Sequence, residues 1–574
     1  MYVETVPNRN SRPAVLLREG WREGKKVRKR TIANLTDWPK QKVEALRRLL
    51  KGEHLVSAQE AFTIERSLPH GHVEALMMMV RRIGLDRLIA SKPCRERDLV
   101  LAMVIERLIF PASKLATSRL WHSTSLAVEL GLEDADEDDL YEAMDWLLER
   151  QERIEQKLAR RHLAEGKPVF YDVTSSYYEG RTCPLMRFGY NRDGKKGKTQ
   201  VVYGLLTAQD GLPVAIEAYP GNTSDPSTVT DQVEKLKQRF GLERVVLVGD
   251  RGMLTEAQID QLRQHPQLGW ISALRNSAIK KLVEQKDLQL SLFDQQNLAE
   301  IRSEAFPGER LIACYNPLLA EERARKRQDL LSVTEEALEK IAAEVKRRNK
   351  TPLSAAEIGK KVGRALTRYK MGKHFRIDID DGSFAYHHIP RSIEAEAALD
   401  GIYVIRTSEP ESRLCAQDAV RSYKDLAQVE RLIRTLKGLE IRVRPIRHRS
   451  ENRVRAHIFL CLLAAHLEWH LRRAWASMLF DDQALEQDRK TRDPVAPAKP
   501  SAHADRKRTA RRTDHGMTVH SIETLIAELA TRCRNKCRLK SDPLAPPVTQ
   551  FTQPTRLQTL AIKLIRTFPV PGTP

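Results

Sequence analysis

Apolar residues recur every three or four positions through much of the first third of the chain. The pattern is clearest in HVEALMMMVRRIGLDRLIA (72–90) and RDLVLAMVIERLIFPASKLATSRLW (97–121). This spacing places the apolar side chains on one face of a helix, so it predicts a mainly helical region over residues 42–165. Residues 13–35, PAVLLREGWREGKKVRKRTIANL, instead predict a basic β-hairpin that turns near Gly24.

From residue 168 the chain changes to short β-rich runs separated by turn residues. Five strands are predicted, with helices near 225–240 and 255–264 between the last three. The order is a meander of three strands followed by β-α-β-α-β, which indicates an α/β fold with a mixed sheet. The strands are expected at 168–173, at 199–221 as a pair around an Asp210-Gly211 turn, at 244–250 and at 268–274.

Residues 277–400 form a different block, whose middle is charged and helical. A strand at 401–407 follows, and the periodicity then predicts a long helix from about Ser422 to Leu439. The stretch at 453–473 is strongly apolar but contains histidine and glutamate, which indicates a buried helix and not a membrane span.

The final stretch of the chain, from about residue 480, is rich in proline, alanine and charged residues. Helices are expected near 519–532 and 555–567. The basic run RKRTARR (506–512) is either a solvated tail segment or an auxiliary contact to nucleic acid.

The net charge of the chain indicates which class of molecule it binds. The 574 residues include 97 Lys and Arg against 76 Asp and Glu, a formal net charge of +21. Such an excess predicts binding to a polyanion, and nucleic acid is the default. Binding to acidic lipid usually needs a basic amphipathic helix or a lipid anchor, and the sequence shows neither. The seven scattered cysteines favour a reducing cytoplasm over a disulfide framework.

Three acidic residues are candidates for one site. Asp172 and Asp250 end the first and fourth predicted strands, which can be neighbours in a mixed sheet. On the predicted helix, Glu430 borders the apolar arc and lies on the same side as Tyr423, Arg434 and Lys437. Taken singly, the aspartates could be loop residues or helix caps, and the helix a solvated surface helix.

Carboxylates are suitable ligands for Mg²⁺, with Mn²⁺ as a substitute, because both ions prefer oxygen. Two such ions activate a water or a 3′-hydroxyl on one side of a phosphorus and stabilise the leaving oxygen on the other. Lysine and arginine near such a site would hold DNA phosphates.

These residues resemble the DDE transposases of bacterial insertion sequences, in particular the insertion-sequence-four superfamily. The signature of that group is Tyr, two residues, Arg, three residues, Glu, six residues and Lys. Here it falls on Tyr423, Leu426, Glu430 and Lys437, with leucine at the arginine position. Arg434 or Lys424 could take over the phosphate contact. Similar stretches are PASKLATSRLW (111–121), YDVTSSYYEG (171–180), AYPGNTSD (218–225) and GDRGM (249–253).

The resemblance spans roughly residues 75–470 and implies an RNase H-like, mixed five-stranded sheet with flanking helices. An insertion domain interrupts this catalytic core before the catalytic glutamate. The implied organisation is a DNA-binding hairpin and helices (1–90), a helical region (91–165), the first segment of the catalytic core (166–276), an insertion domain (277–415), the second segment of the core with the glutamate helix (416–475) and a basic, partly helical tail for dimerisation or DNA contact (476–574).

Several further residues are candidate DNA contacts, each with a simpler alternative. The basic stretch GYNRDGKKGKTQ (189–200) is either a flexible loop or a phosphate-binding segment, and its Asp193 is expected to be a turn residue. Arg251 forms either a salt bridge or a contact near the scissile phosphate, and Tyr403 is either a core residue or a platform for a flipped base. The cations of the basic stretch are Arg192, Lys195, Lys196 and Lys198.

The resemblance implies a transposase that cleaves double-stranded DNA at terminal inverted repeats and joins the ends to target DNA, by cut-and-paste. Catalysis and metal binding would rest on Asp172, Asp250 and Glu430. A homodimer holding two ends is expected, in the bacterial cytoplasm and on the nucleoid when bound to DNA. Two alternatives stay open: an RNase H-like nuclease without strand transfer, and a transposase-derived DNA-binding protein with an inactive site.

Overall fold

A computed structural model describes residues 1–9, 11–53, 61–265, 267–348, 350–496, 499–540 and 544–569. Two compact units divide the chain: Met1–His70 with Arg532–Gln553, and Gly71–Thr531 with Pro554–Pro574. The strands are β1 (Tyr2–Val6), β2 (Ala14–Glu23), β3 (Lys26–Asn34), β4 (Phe62–Pro69), β5 (Pro168–Tyr177), β6 (Gln200–Thr207), β7 (Pro213–Pro220), β8 (Val245–Val248), β9 (Leu268–Ala273), β10 (Leu298–Ile301), β11 (Arg310–Tyr315), β12 (Phe375–Asp380), β13 (Ser383–His388), β14 (Ile402–Thr407), β15 (Cys533–Leu539) and β16 (Val548–Phe551).

The helices connect and cover these strands. They are α1 (Lys40–Leu50), α2 (Gly71–Ile83), α3 (Leu85–Ile89), α4 (Arg95–Ile109), α5 (Lys114–Leu120), α6 (Leu126–Leu130), α7 (Glu137–Leu148), α8 (Gln151–His162), α9 (Val229–Glu234), α10 (Glu256–Arg263), α11 (Asn276–Glu284), α12 (Pro317–Arg347), α13 (Ala355–Tyr369), α14 (Pro390–Ala397), α15 (Ala416–Lys424), α16 (Leu426–Lys437), α17 (Glu451–Ala474), α18 (Leu485–Thr491), α19 (Ala502–Ala510), α20 (Ile522–Ala530) and α21 (Arg556–Thr567).

The smaller unit contains the predicted hairpin. Strands β2 and β3 pair antiparallel around Gly24, whose positive φ of 60° suits glycine. Strand β1 extends this sheet, and β16, β15 and β4 form a second one. Strand β4 lies within the region predicted to be mainly helical. Most side chains of β3 are exposed, and many are basic, so the hairpin presents a cationic surface.

The larger unit is built on one sheet of eight strands, in the order β10-β11-β14-β9-β8-β5-β6-β7. Strands β9, β8 and β5 are mutually parallel, and the other neighbours are antiparallel. Five strands were predicted from sequence, and these form the contiguous stretch of the sheet from β9 to β7. The count of five is wrong for the whole sheet, because β14 pairs with β9 and brings β11 and β10 with it.

Helix α17 lies at the centre of the larger unit, and almost every residue from Ala456 to Leu471 is buried. It packs against β7 and against the helices α4 and α7. A helix that is apolar on all sides needs such complete burial. Of the helices within the described residues, none has the length and apolar character to traverse a bilayer.

The block between β9 and β14 carries its own hydrophobic cluster. Helices α12 and α13 pack together, and the β12–β13 hairpin packs on them around Leu338, Ile358 and Phe384. This cluster is separate from the main core of the larger unit. The chain therefore leaves the eight-stranded sheet after β11 and returns to it at β14.

Candidate active site

Two aspartates lie at the same level of neighbouring parallel strands. Asp172 is in the middle of β5, not at its end as predicted, because the strand continues to Tyr177. Strands β5 and β8 pair Phe170 with Val248. Asp172 lies two residues after Phe170, and Asp250 lies two residues after Val248. The register therefore places both carboxylates where β8 ends.

Asp250 also organises the turn that follows β8. Its Oδ1 accepts hydrogen bonds from the backbone N–H groups of Gly252 at 2.9 Å and Met253 at 2.7 Å. The simpler interpretation, an aspartate that caps a turn, is thus correct for one oxygen. The side chain is nevertheless exposed, and Oδ2 is not used by this turn, so the carboxylate is available to a ligand.

Glu430 is carried by α16, which packs on β5. The helix buries Val429, Leu432 and Leu436, so its leucine-rich face docks as predicted. Glu430 follows Val429 at the border of that face and is 65% exposed, with an oxygen 4.0 Å from Nη1 of Arg434. Docking against the strand that bears Asp172 holds the glutamate near the aspartates.

The predicted helix from Ser422 to Leu439 is in fact two helices. Helix α15 ends at Lys424 and α16 begins at Leu426, with Asp425 between them. Asp425 itself keeps α-helical backbone angles, with φ of -68° and ψ of -13°. Glu430, Arg434 and Lys437 therefore lie on one helix, whereas Tyr423 lies on the preceding helix. The predicted alignment of all four residues on a single helix does not apply to Tyr423.

The electrostatics of Asp172 show that the other two carboxylates act on it. Burial raises the pKa of Asp172 to about 7, against a hydrogen bond of 2.7 Å from the N–H of Val173. Smaller contributions to this pKa come from the charges of Asp250 and Glu430, which raise it, and from Arg192, which lowers it. All three predicted ligands therefore lie within electrostatic reach of one another.

Tyr423 and Arg251 belong to the same neighbourhood. Burial raises the pKa of the half-buried Tyr423 to about 12. The charges of Asp250 and Glu430 act in the same direction, and that of Arg251 opposes them. Although α15 and α16 are separate helices, the tyrosine of the signature thus remains beside the carboxylates.

The basic loop between β5 and β6 contributes cations of two kinds. Arg192 forms an ion pair with Asp225 and is the cation that acts on Asp172. Lys195, Lys196 and Lys198 are exposed, and Nζ of Lys195 lies 5.8 Å from the centre of the Tyr177 ring. Arg192 therefore belongs to the wall of the site, whereas the lysines face solvent.

Asp193 has a larger role than that of the turn residue predicted from sequence. Its side chain is 1% exposed and forms ion pairs with Lys437, at 2.9 Å, and with Arg444. It also accepts a hydrogen bond of 3.0 Å from the N–H of Tyr177. Lys437 therefore fastens the basic loop to α16. An acidic residue inside a basic run was the available signal for such a partner.

Two predicted contacts are not brought to the carboxylates. Tyr403 packs against the main core from β14, and the charges acting on its hydroxyl come from Cys314 and Asp493. Lys424 donates to the backbone carbonyls of Pro494 and Ala496. The core interpretation of Tyr403 therefore agrees with its placement, and Lys424 is engaged away from the site.

Two aromatic residues of the basic loop were overlooked in the sequence. Phe188 is 70% exposed and Tyr190 is 83% exposed. Exposed aromatic rings among cations are typical of surfaces on which nucleic acid bases stack. Their position beside Arg192 in the same loop was the signal that could have identified them.

A carboxylate cluster beside parallel strands, on a strongly basic chain, is typical of metal-dependent enzymes that act on nucleic acid. Comparison with known families gives the particular group. Residues 169–467 match the family described as "Transposase DDE domain", and residues 3–62 match that described as "IS1634 family transposase, N-terminal domain". The first match covers more than half of the chain, so the protein belongs to the DDE transposases of bacterial insertion sequences. Activity in this family depends on divalent metal ions.

Other comparisons add little. No curated protein sequence matches the chain. Among solved structures, the chain is similar to the one titled "Cryo-EM structure of piggyBac transposase synaptic complex with hairpin DNA (SNHP)", with 10% identity and a TM-score of 0.32. That similarity covers 80% of this chain and 76% of the other. It is too distant to support an argument about the site.

Proposed function

We propose that this transposase moves its element by cut-and-paste, using Asp172, Asp250 and Glu430 to hold Mg²⁺, with Mn²⁺ as a substitute. The observation that carries the proposal is the placement of the three carboxylates: the β5–β8 register sets Asp172 beside Asp250, and α16, which bears Glu430, packs on β5. The charges of Asp250 and Glu430 both act on Asp172. The three carboxylates come from two parallel strands and one helix, so long-range folding, not chance proximity in sequence, assembles them.

The residues present fit divalent ions. The donors are all carboxylate oxygens, which Mg²⁺ and Mn²⁺ prefer. Asp172 has like charges as neighbours, and each of them raises its pKa, so a bound cation would relieve an existing repulsion. Such ions supply activation of a water or a 3′-hydroxyl and stabilisation of the leaving oxygen.

The protein's own groups would position the DNA. Strand β5 and the docked helix α16 hold Asp172 and Glu430 on rigid elements. Arg434 and Arg251 are exposed beside the carboxylates and suit phosphate contacts. Exposed residues of the basic loop would follow the strand that enters the site, through Lys195, Lys196, Lys198, Phe188 and Tyr190.

The strand arrangement supports an RNase H-like core. An antiparallel meander of β7, β6 and β5, continued by the parallel strands β8 and β9, is the five-strand order that the family resemblance implies. Strands β14, β11 and β10 extend this core at the β9 edge. On this proposal the block from α12 to α14 is the insertion that precedes the glutamate helix.

Recognition of transposon ends is proposed for the N-terminal hairpin. Its exposed cations lie in a separate compact unit from the carboxylates. Binding and cleavage should therefore be separable by mutation. Two protomers would hold the two ends, and sedimentation of the protein with end DNA would test for a dimer.

Glu430→Gln tests the assignment of the third carboxylate. The substitution keeps size and hydrogen bonding but removes charge, so cleavage and joining of end DNA in Mg²⁺ should both be lost. Matched controls are Glu440→Gln, whose glutamate lies 3.8 Å from Arg472, and Glu451→Gln, whose glutamate lies 2.9 Å from Arg455. Both controls should keep most activity.

Product mapping separates the proposal from its two alternatives. A transposase gives cleaved ends that are then joined to target DNA, and hairpin ends would indicate the cut-and-paste route. A nuclease gives cleavage without joining, and an inactive DNA-binding protein gives only a gel shift. A folded Glu430→Gln protein that still cleaves would show that another residue completes the site.

A further inference from the structure

Three histidines meet away from the carboxylates, where α8 and α17 pack near the start of β7. His466 and His470 are one helical turn apart on α17, and His162 is the last residue of α8. One ring nitrogen from each lies within 4.8 Å of the others. Two histidines spaced by four residues on a helix present their rings on one face, as metal sites require.

His466 is already oriented for ligation. Its Nδ1 lies 3.2 Å from the carbonyl oxygen of Pro213. A carbonyl only accepts hydrogen bonds, so Nδ1 carries the proton and Nε2 keeps its lone pair. Metal-ligating histidines are commonly held in this way, with the other ring nitrogen donating to a backbone carbonyl.

His470 provides an independent observation. Its side chain is 1% exposed, and neither ring nitrogen has a hydrogen-bond partner among the described residues. Buried polar atoms are normally satisfied, so an exception calls for an explanation. A bound metal ion would provide one for the nitrogen that faces His466 and His162.

Another buried histidine on the same helix shows that this is not a general property of α17. His457 is also buried, but its Nε2 lies 3.0 Å from the carbonyl oxygen of Val443 and its Nδ1 lies 3.4 Å from Arg107. A buried histidine on α17 can therefore have both ring nitrogens placed beside polar partners, which His470 does not.

Simple ring packing is the competing explanation. The ring centres of His466 and His470 are 4.8 Å apart and the rings are tilted by 66°, as in ordinary aromatic contacts. Two arginines nearby oppose a cation, although both are engaged elsewhere. Arg161 donates to the carbonyl of Ile83 at 2.9 Å, and Arg473 lies over Trp469. Packing leaves both ring nitrogens of His470 unexplained, whereas ligation accounts for the one that faces His466 and His162.

We propose that His162, His466 and His470 bind a zinc ion that fastens α8 to α17. Imidazole nitrogen suits Zn²⁺, in contrast to the oxygen donors of the catalytic site. Zn–N bonds of about 2.1 Å put tetrahedral donors about 3.4 Å apart, which small side-chain rotations would reach. His162 is only partly buried, which gives the ion an entry path.

The test uses the untagged full-length protein, stripped with a strong chelator and then exposed to Zn²⁺ and dialysed. Wild type should retain about one zinc ion per chain by elemental analysis. Zn²⁺ should also raise its Tm, whereas Mg²⁺ should not. Co²⁺ in place of Zn²⁺ should give the visible absorption bands of a tetrahedral nitrogen site.

His470→Leu should lose both the zinc and the Tm response, and Asp172→Asn should keep both, because the catalytic carboxylates are not involved. If His470→Leu does not fold, His162→Gln at the half-exposed end of α8 replaces it. Retention of zinc by these histidine variants, or failure of the stripped wild type to take up zinc, would overturn the proposal.

Discussion

Two clusters of charge in the larger unit are built in opposite ways. Near β7, Glu155 and Lys235 have side chains only 1% exposed and lie 3.5 Å apart. Lys235 also pairs with Glu217 at 2.9 Å. Burial alone would lower the pKa of Lys235, but the two glutamates outweigh it and the net shift is upward. Each buried charge here has an opposite charge within the fold.

At the other cluster, Asp172 is surrounded by like charges. Asp250 and Glu430 raise its pKa, and Arg192, the cation that opposes them, is paired with Asp225. Glu155 therefore has an ion-pair partner inside the fold, whereas Asp172 forms no ion pair with the described residues. On the proposed function, the first cluster serves stability, and the second serves a cation and substrate from outside.

The largest expected effect comes from neutralising the unsatisfied cluster. Asp172→Asn should reduce cleavage of end DNA in Mg²⁺ by at least about a thousand-fold, since metal ions contribute several kcal/mol to such reactions. Binding to end DNA should persist, because the cationic hairpin lies in the other unit. Single-turnover cleavage and gel shifts measure the two effects.

The stability of the Asp172→Asn variant provides a second test of the difference between the two clusters. Removing a buried charge with like neighbours should leave the metal-free protein as stable as wild type, or about 1 kcal/mol more stable. Urea unfolding in the presence of a chelator checks this. A clear loss of stability would mean that the charge of Asp172 is a structural requirement, like that of Glu155.

The sequence could predict features that depend on local patterns, but not those that depend on long-range contacts. Asp172 and Asp250 follow apolar, β-rich runs, and Glu430 borders a leucine arc, so local patterns were sufficient to propose them. Pairing of β14 with β9 depends on residues about 130 positions apart, as with Ile405 and Ala273. Strand composition does not encode such a partner, so the sheet was predicted too small.

Ion pairs were beyond prediction for the same reason. Asp193 and Lys437 are 244 residues apart, and their contact exists only after α16 has docked on the sheet. The break between α15 and α16 at Asp425 was also not predicted, because the apolar spacing on both sides is typical of one continuous helix. Sequence patterns were therefore sufficient to propose the chemistry of the site, but not the contacts that hold its elements together.

Breaking the satisfied cluster should have the second-largest effect. Lys235→Met removes the cation and leaves Glu155 buried beside Glu217, which typically costs about 3 kcal/mol or more. Urea unfolding should show this loss. In the double variant with Glu155→Gln much of it should be recovered. Equal losses in the single and double variants would mean that the ion pair is not what couples these residues.

A buried lysine that has no carboxylate partner among the described residues extends the comparison and predicts a pH effect. Lys114 is 3% exposed, and burial lowers its pKa to about 7, with the charge of Arg107 acting in the same direction. Between this value and its usual pKa of about 10.5, the unfolded state binds more protons than the folded state. Stability should therefore rise with pH in that range, by up to about 1.4 kcal/mol per unit.

The variant Lys114→Met isolates that contribution. The difference in unfolding free energy between wild type and variant should change from pH 7 to pH 9, with wild type gaining as pH rises. A difference that is independent of pH would show that Lys114 remains charged in the folded protein.

The smallest expected effect concerns two cations of α16. Arg434 is 71% exposed, whereas Lys437 is 11% exposed and pairs with the buried Asp193. An exposed cation can bind a DNA phosphate without breaking a contact inside the protein. Arg434→Ala should therefore weaken DNA binding a few-fold and reduce the log–log salt slope by about 0.9, the value for one phosphate contact on duplex DNA.

Lys437→Ala should reduce the stability of the protein more than its binding to DNA. Asp193 keeps Arg444 as a partner, so the expected loss of stability is about 1–2 kcal/mol, and the salt slope should hardly change. Binding titrations at several salt concentrations, together with urea unfolding of both variants, separate the two roles. If Lys437→Ala reduced the slope as much as Arg434→Ala and left stability unchanged, the lysine would contact DNA in the complex and its pairing with Asp193 would be dispensable.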